Sequence, residues 1–305
     1  MTILAIIAAL VIEQFRPLAI GRIDDLLARW SRWLEDRFNA GQRHHGLAAW
    51  LIGVALPTAL MLVAQLLAFW SSALLALLLA VAVLYLTMGF RQFSHHYTAI
   101  HVALNAGEIG QARQLLYQWR GIEADRLGSS DVARLAIEEA LVASHRHVFA
   151  PLILFALFGP AGAVLYRLAR HFARAWGTDT GMAADNFGEF SRRTFAVIDW
   201  LPVRMTAASF AIVGNFEDAV FCWRTQASRW REEASGILLA SGAGALGVRL
   251  GMPVGVDDRF GDRPELGVGE DADADFMQSA VGLVWRTLVM ALLLLTLLGI
   301  ASWAG

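Results

Sequence analysis

Three stretches of this chain carry no charged side chain: Leu51–Phe69, Ser71–Phe90, and everything after Arg286. An α-helix rises about 1.5 Å per residue, so about 20 apolar residues cross a hydrocarbon core about 30 Å thick. Each stretch has that length. Trp50 and Trp70 bracket the first, and Trp285 and Trp303 bracket the last. Indole rings favour the membrane–water boundary, so this placement fits spanning better than burial in a water-soluble core. A hydrophobic content of 57%, a charged content of 17% and a mean hydropathy of +0.50 point the same way. The expectation is an all-α polytopic membrane protein with about six membrane segments joined by cytoplasmic helical loops, in a bacterial inner membrane.

Along the chain, "MTILAIIAALVIEQF" reads as a first, short or tilted segment. It lacks a basic leader and a small-x-small cleavage site, so a cleaved signal peptide is not expected. In the following loop Leu26, Leu27, Trp30, Trp33 and Leu34 recur at helical spacing. Segments two and three meet at a tight turn in "FWSSA" and complete a first region, 1–90. Residues 91–147 are polar and helical, with an N-cap candidate at Ser129 or Ser130. Region 148–216 holds a fourth segment broken at Gly159-Pro160 and a fifth that carries Asp199, Pro202 and Arg204. Region 217–281 is acidic and glycine-containing, and 282–305 is the last segment. Five arginines lie in 21–47, and six each in 91–147 and 217–281. By the positive-inside rule these three are cytoplasmic. If segments four and five re-enter instead of crossing, 171–193 is cytoplasmic too.

Several chemistries are excluded early. A net charge of −2 gives no polyelectrolyte signal for nucleic acid. The single cysteine, Cys222, rules out an internal disulfide and a cysteine zinc cage. All 25 cations are arginine, which removes Schiff-base and P-loop lysine chemistry. The histidines His44, His45, His95, His96, His101, His145 and His147 include no i, i+4 pair with a carboxylate. They read as solvated loop residues, and no metal is expected.

"SGAGALGVRLG" places Gly242, Gly244 and Gly247 at the G-x-G-x-x-G spacing of a dinucleotide turn. That fingerprint needs a strand before it, a helix after it and a βαβ unit. Gly251, Pro253 and Gly255 follow instead, and no β/α alternation exists. Close backbone packing, or a loop that meets a ligand, accounts for the glycines better. Ionisable groups at membrane depth are costly and are usually paired or functional. In "DWLPVR", Asp199 and Arg204 flank a proline, and the readings are an interfacial helix end, a buried pair across a kink, or a ligand-facing site. Glu138-Glu139 reads as the solvated face of a helix.

Taken together, "AIEEALVASHRHVFAPLILFALFGPAGAVLYRL" (136–168), "IDWLPVRM" (198–205), "GAGALGVRLG" (242–251) and "GDRPELG" (261–267) resemble, in this order, the CobD/CbiB family. The resemblance implies a membrane protein of cobalamin biosynthesis. Such proteins act as adenosylcobinamide-phosphate synthases and attach the aminopropanol arm to cobyric acid. It marks Glu138, Asp199, Pro202, Arg204, Gly244, Gly247, Gly251 and Asp262 as candidate binding residues, with Asp199 in place of the usual asparagine. No catalytic residue is assigned.

The family's polar motifs are nevertheless replaced. "EQFRPLAIGRIDD" stands where an Asp-Pro and a His-Pro stretch belong, "VASHRH" where Glu-Asn-Thr and Asp-Gly belong, "ARHFARAW" where Asn-Thr-x-Asp-Ser belongs, and "EEASG" where Ser-Pro-Asn belongs. "IDWLPVRMTAASFAIVGNFEDAVFCW" resembles AmpE, a membrane protein linked to β-lactamase induction. These likenesses imply a non-enzymatic or divergent regulatory module without a cofactor, with the synthase and its corrinoid as the alternative. The implied partners are the lipid bilayer and a small molecule or membrane protein.

Overall fold

Ser72 turns the chain back on itself. Its hydroxyl accepts the Leu74 N–H at 3.2 Å and so caps the second arm of a helical hairpin. The computed structural model describes residues 2–15, 20–39, 43–121, 124–177, 187–253 and 263–304. They form two compact units, Met1–Gly89 with Ala150–Pro202 and Phe90–Phe149 with Val203–Gly305.

In the first unit the hairpin is α4 (Leu56–Ser71) and α5 (Ala73–Thr87), with α1 (Thr2–Phe15) packed along α5. A second hairpin is α9 (Ala150–Phe158) and α10 (Pro160–Ala175). It turns at Gly159, whose φ of +67° suits glycine, and Pro160 then starts α10 without needing its missing N–H. The Gln65 side-chain oxygen accepts the Ala161 N–H at 3.1 Å. Gln65 lies close before the α4–α5 turn, so both hairpin tips sit at one end of the unit. The opposite end is built from α2 (Ile20–Phe38), α3 (Arg43–Trp50) and a π turn, Leu51–Ala55. There Leu34, Ala49, Val54, Phe172, Trp176 and Phe187 form a core onto which Leu27, Trp30 and Phe38 pack. Residues 27, 30, 34 and 38 share one face of a helix, which is why α2 seats along its length.

The second unit is organised around α8 (Ser129–Ser144), which is buried on almost every side. It packs against α6 (Phe90–Asn105), α7 (Ile109–Arg120), α13 (Glu233–Leu246) and α14 (Ala274–Ala304). α12 (Phe216–Gln226) forms a close hairpin with α13. Three short strands depart from the all-α expectation. β1 (Val248–Gly251) lies between β2 (Glu265–Leu266), antiparallel to it, and β3 (Glu270–Asp271), parallel to it.

Helix remains the dominant structure, and of the expected count of about six membrane segments the described residues bear out four by length and composition. Four helical stretches are long and apolar enough to cross a membrane: His44–Ser71, Ser129–Phe158, Glu189–Val213 and Ala274–Ala301. α1, with 14 residues, and α5, with 15, rise only about 21–23 Å. The fourth expected segment is divided by Gly159. Its first half continues α8 through a second π turn, His145–Phe149, and its second half is α10. The helical pattern from 129 and the apolar run from 148 thus fall in one helical stretch, Ser129–Phe158, which Pro151 does not end.

Candidate functional site

Glu138 is buried, with 2% of its surface exposed. A carboxylate in that position needs donors, and the second unit supplies them. Arg263 Nη2 donates to Glu138 Oε1 and Oε2 at 2.6 Å each. The Gly251 N–H donates to Oε1 at 2.9 Å. Arg120 Nη1 stands 3.7 Å from Oε2, and Arg120 Nε pairs with Glu139 at 3.2 Å. Glu138 is therefore not on a solvated face. Its oxygens are engaged as acceptors, and it ties Arg263 to the Gly251 backbone.

Arg263 is held as firmly as its partner. Its Nε donates to the Met252 carbonyl at 3.2 Å, and its guanidinium lies 5.2 Å from the centre of the Trp230 ring. Met252 has φ +62°, the only positive value at a non-glycine among the described residues. Such a conformation persists where neighbours over-determine it. Here Arg263 and the Pro264 carbonyl, which accepts the Met252 N–H at 3.3 Å, do so.

Of the glycines, Gly251 belongs to this node, and Gly244 and Gly247 precede it in the chain. Gly251 has φ +74°, and a Cβ there would lie 2.0 Å from the Pro264 carbonyl oxygen. Gly247 ends α13 in the left-handed conformation, φ +68°. A Cβ on Gly244 would lie 2.4 Å from the Asp218 carbonyl oxygen, so this glycine sets the α12–α13 approach. The G-x-G-x-x-G spacing thus falls at the end of a helix and not before the start of one. The N–H groups that cradle a pyrophosphate sit at a helix N-terminus, so the dinucleotide reading has no structural basis.

Of the remaining candidates, Pro202 lies inside an unbroken α11 (Glu189–Val213). Asp199 is buried at 5% exposure. Arg204 donates to Glu233 at 2.9 Å, and Glu233 is largely exposed. A solvated pair contributes about 0–1 kcal/mol. Glu233→Gln, which removes only this pair, is therefore expected to shift thermal unfolding of the detergent-purified protein by only a degree or two. Asp262 lies outside the described residues. So the structure brings Glu138 and Gly251 into direct contact, places Gly244 and Gly247 at the end of α13 ahead of β1, and carries Asp199, Pro202 and Arg204 on α11.

Three partners escaped the sequence reading: Arg120, Arg263 and Trp230. A signal existed for Arg263, which stands inside the quoted "GDRPELG". His145 is a further correction. It is not a solvated loop residue but 1% exposed in the π turn, with Nδ1 2.9 Å from the Thr206 hydroxyl. Among the described residues no group of three or more His, Cys, Asp or Glu is placed to hold a metal.

A CobD/Cbib protein family model matches residues 3–284. The chain belongs to the CobD/Cbib family. It is 33% identical over 304 residues to the cobalamin biosynthesis protein CobD of Stutzerimonas stutzeri, covering 96% of both chains. It is 35% identical over 235 residues to the protein of that name from Chromobacterium violaceum, covering 76% of this chain and 75% of the other. No solved structure matches. These findings overturn the expectation of a non-enzymatic regulatory module. The likeness to CobD proteins runs through the whole chain, including the stretches where polar motifs are replaced, and the AmpE-like, signalling affinity finds no support beside it.

Proposed function

We propose that this protein is a cobalamin-biosynthesis enzyme of the adenosylcobinamide-phosphate synthase type, which attaches an aminopropanol arm to a carboxyl group of cobyric acid. The observation that carries the reading is the 33% identity to a cobalamin biosynthesis protein CobD across 96% of both chains. The reaction forms an amide between an amine and a ring carboxyl group, whose oxygen leaves after activation by a nucleoside triphosphate as co-substrate. The corrinoid is then the substrate, a small molecule met at a bilayer, and the protein is a multi-pass resident of the inner membrane. The Glu138–Arg263 node supports this reading as a positioning element. It holds the Gly251 N–H and the Met252 carbonyl.

The test is genetic. The gene is placed in a strain that lacks its cobinamide-phosphate synthase and is fed cobyric acid. Cobalamin-dependent growth is the expected outcome, and Glu138→Gln should weaken it. Failure of the parent gene to restore growth, with the protein detected in the membrane fraction, overturns the proposal.

A further inference from the structure

Helix α2 has two apolar edges, and only one is used inside the protein. Leu27, Trp30, Leu34 and Phe38 form the edge packed into the first unit. Trp30 meets Phe172 edge-on at 5.5 Å, and the Trp176 indole donates to the Ser31 carbonyl at 3.2 Å. Leu26 and Trp33 lie beside that edge, and each is 57% exposed. They are seven residues apart, so at about 100° per residue they fall on nearly one line along the helix. Arg29 and Arg37, both exposed, flank this line within an arc of about 80°. Asp24, Asp25, Glu35 and Asp36 project from the rest of the surface. Arg29 and Arg37 are thus the charges nearest the exposed apolar line; Asp36, about 60° from Trp33, is the nearest acid, and Arg32 projects among the carboxylates.

The position of α2 says what covers that line. α2 packs against α3, α10 and the π turn Leu51–Ala55, away from the two hairpin tips. The π turn belongs to the span-length stretch His44–Ser71. Its outward residues Leu51 and Ile52 are exposed at 48% and 36%, and Leu56 after them at 52%. This apolar belt begins where α2 is seated. An amphipathic helix fixed beside the end of a span, with Trp and Leu on one line and Arg along it, has the chemistry of an in-plane interfacial helix. The indole takes the headgroup level, and the guanidinium groups take lipid phosphates.

We propose that α2 lies in the plane of the bilayer surface, with Leu26 and Trp33 at the acyl–headgroup boundary and Arg29 and Arg37 against anionic lipid headgroups. The partner is a lipid surface, and the contact does not depend on the reaction proposed above.

Site-directed spin labelling of the full chain in vesicles tests it. Cys222 is fully buried, and burial, followed by the nearby Asp218, pushes its thiol up to about 11. Cys222→Ala removes it from the background. Nitroxide labels are placed singly at Trp33→Cys and Arg32→Cys, which differ by about 100° around the helix. Vesicles are phosphatidylcholine alone or phosphatidylcholine with phosphatidylglycerol. Collisions with a water-soluble nickel chelate should be several-fold rarer at position 33 than at 32, with oxygen collisions in the reverse order. The label at 33 should sit deeper in the anionic vesicles, and Arg29→Gln with Arg37→Gln should remove that difference. Equal nickel access at the two positions overturns the proposal. So does a position-33 label shielded from both reagents, which would mean a protein partner or a second copy, or one indifferent to headgroup charge.

Discussion

Arg263→Met is expected to destabilise the protein by about 3–5 kcal/mol, because it leaves a buried carboxylate short of its principal cation. Glu138 then keeps only the Gly251 N–H at 2.9 Å and Arg120 at 3.7 Å. Glu138→Leu alone should cost a similar amount, since it strands the Arg263 guanidinium beneath Trp230. The double variant, Glu138→Leu with Arg263→Met, should recover part of the loss, because two apolar groups remove both desolvation penalties together. Thermal unfolding of detergent-purified protein measures all three. Losses that simply add would show that the two residues are uncoupled, and the account of the node given above would then fail.

A second large effect is expected from Gly251→Ala, read against Gly247→Ala. Both positions have positive φ, which costs an L-residue about 1–2 kcal/mol. At Gly247 that is the whole effect, because no atom lies within 4 Å of the added Cβ. At Gly251 the Cβ would stand 2.0 Å from the Pro264 carbonyl oxygen. Strand β2 must then move away from β1, carrying the segment that bears Arg263, and the Gly251 N–H is drawn from Glu138. Gly251→Ala should therefore cost at least roughly twice as much as Gly247→Ala in the same unfolding measurement. Equal losses would mean that backbone conformation alone, and not the close approach, fixes glycine at 251.

The helical character was legible because long uncharged runs leave a chain few options. The number of crossings was not. Hydropathy at Ala73–Thr87 does not distinguish a short hairpin arm from a full span, and the break at Gly159 gives no sign of which half joins its neighbour. The π turn at His145–Phe149 lets a polar helix run into an apolar one, and Pro151 just after it, which reads as a break in sequence, does not end the helix. The node was half legible. Glu138 and Gly251 stood out by resemblance, but a carboxylate on a helix looks the same in sequence whether water or arginine satisfies it. Only the folded chain brings residue 263 to residue 138. The functional reading failed for a related reason. Replaced motifs weigh against an activity only if the remaining length is unlike the family, and here it is not.

The Gln65–Ala161 hydrogen bond ties the second hairpin of the first unit to the first. In hydrocarbon, an N–H freed at a helix start has no water to turn to. The start of α10 obtains its acceptor from α4, an arm made about a hundred residues earlier in the chain. The α9–α10 hairpin is expected to dock on an α4–α5 hairpin made before it. Until it arrives, the α4–α5 hairpin carries a polar amide in an apolar helix without this partner. A chain cut before residue 150 should hold its first hairpin loosely in the bilayer and become a better substrate for membrane proteases. Gln65→Leu would make that fragment more durable while weakening the complete protein.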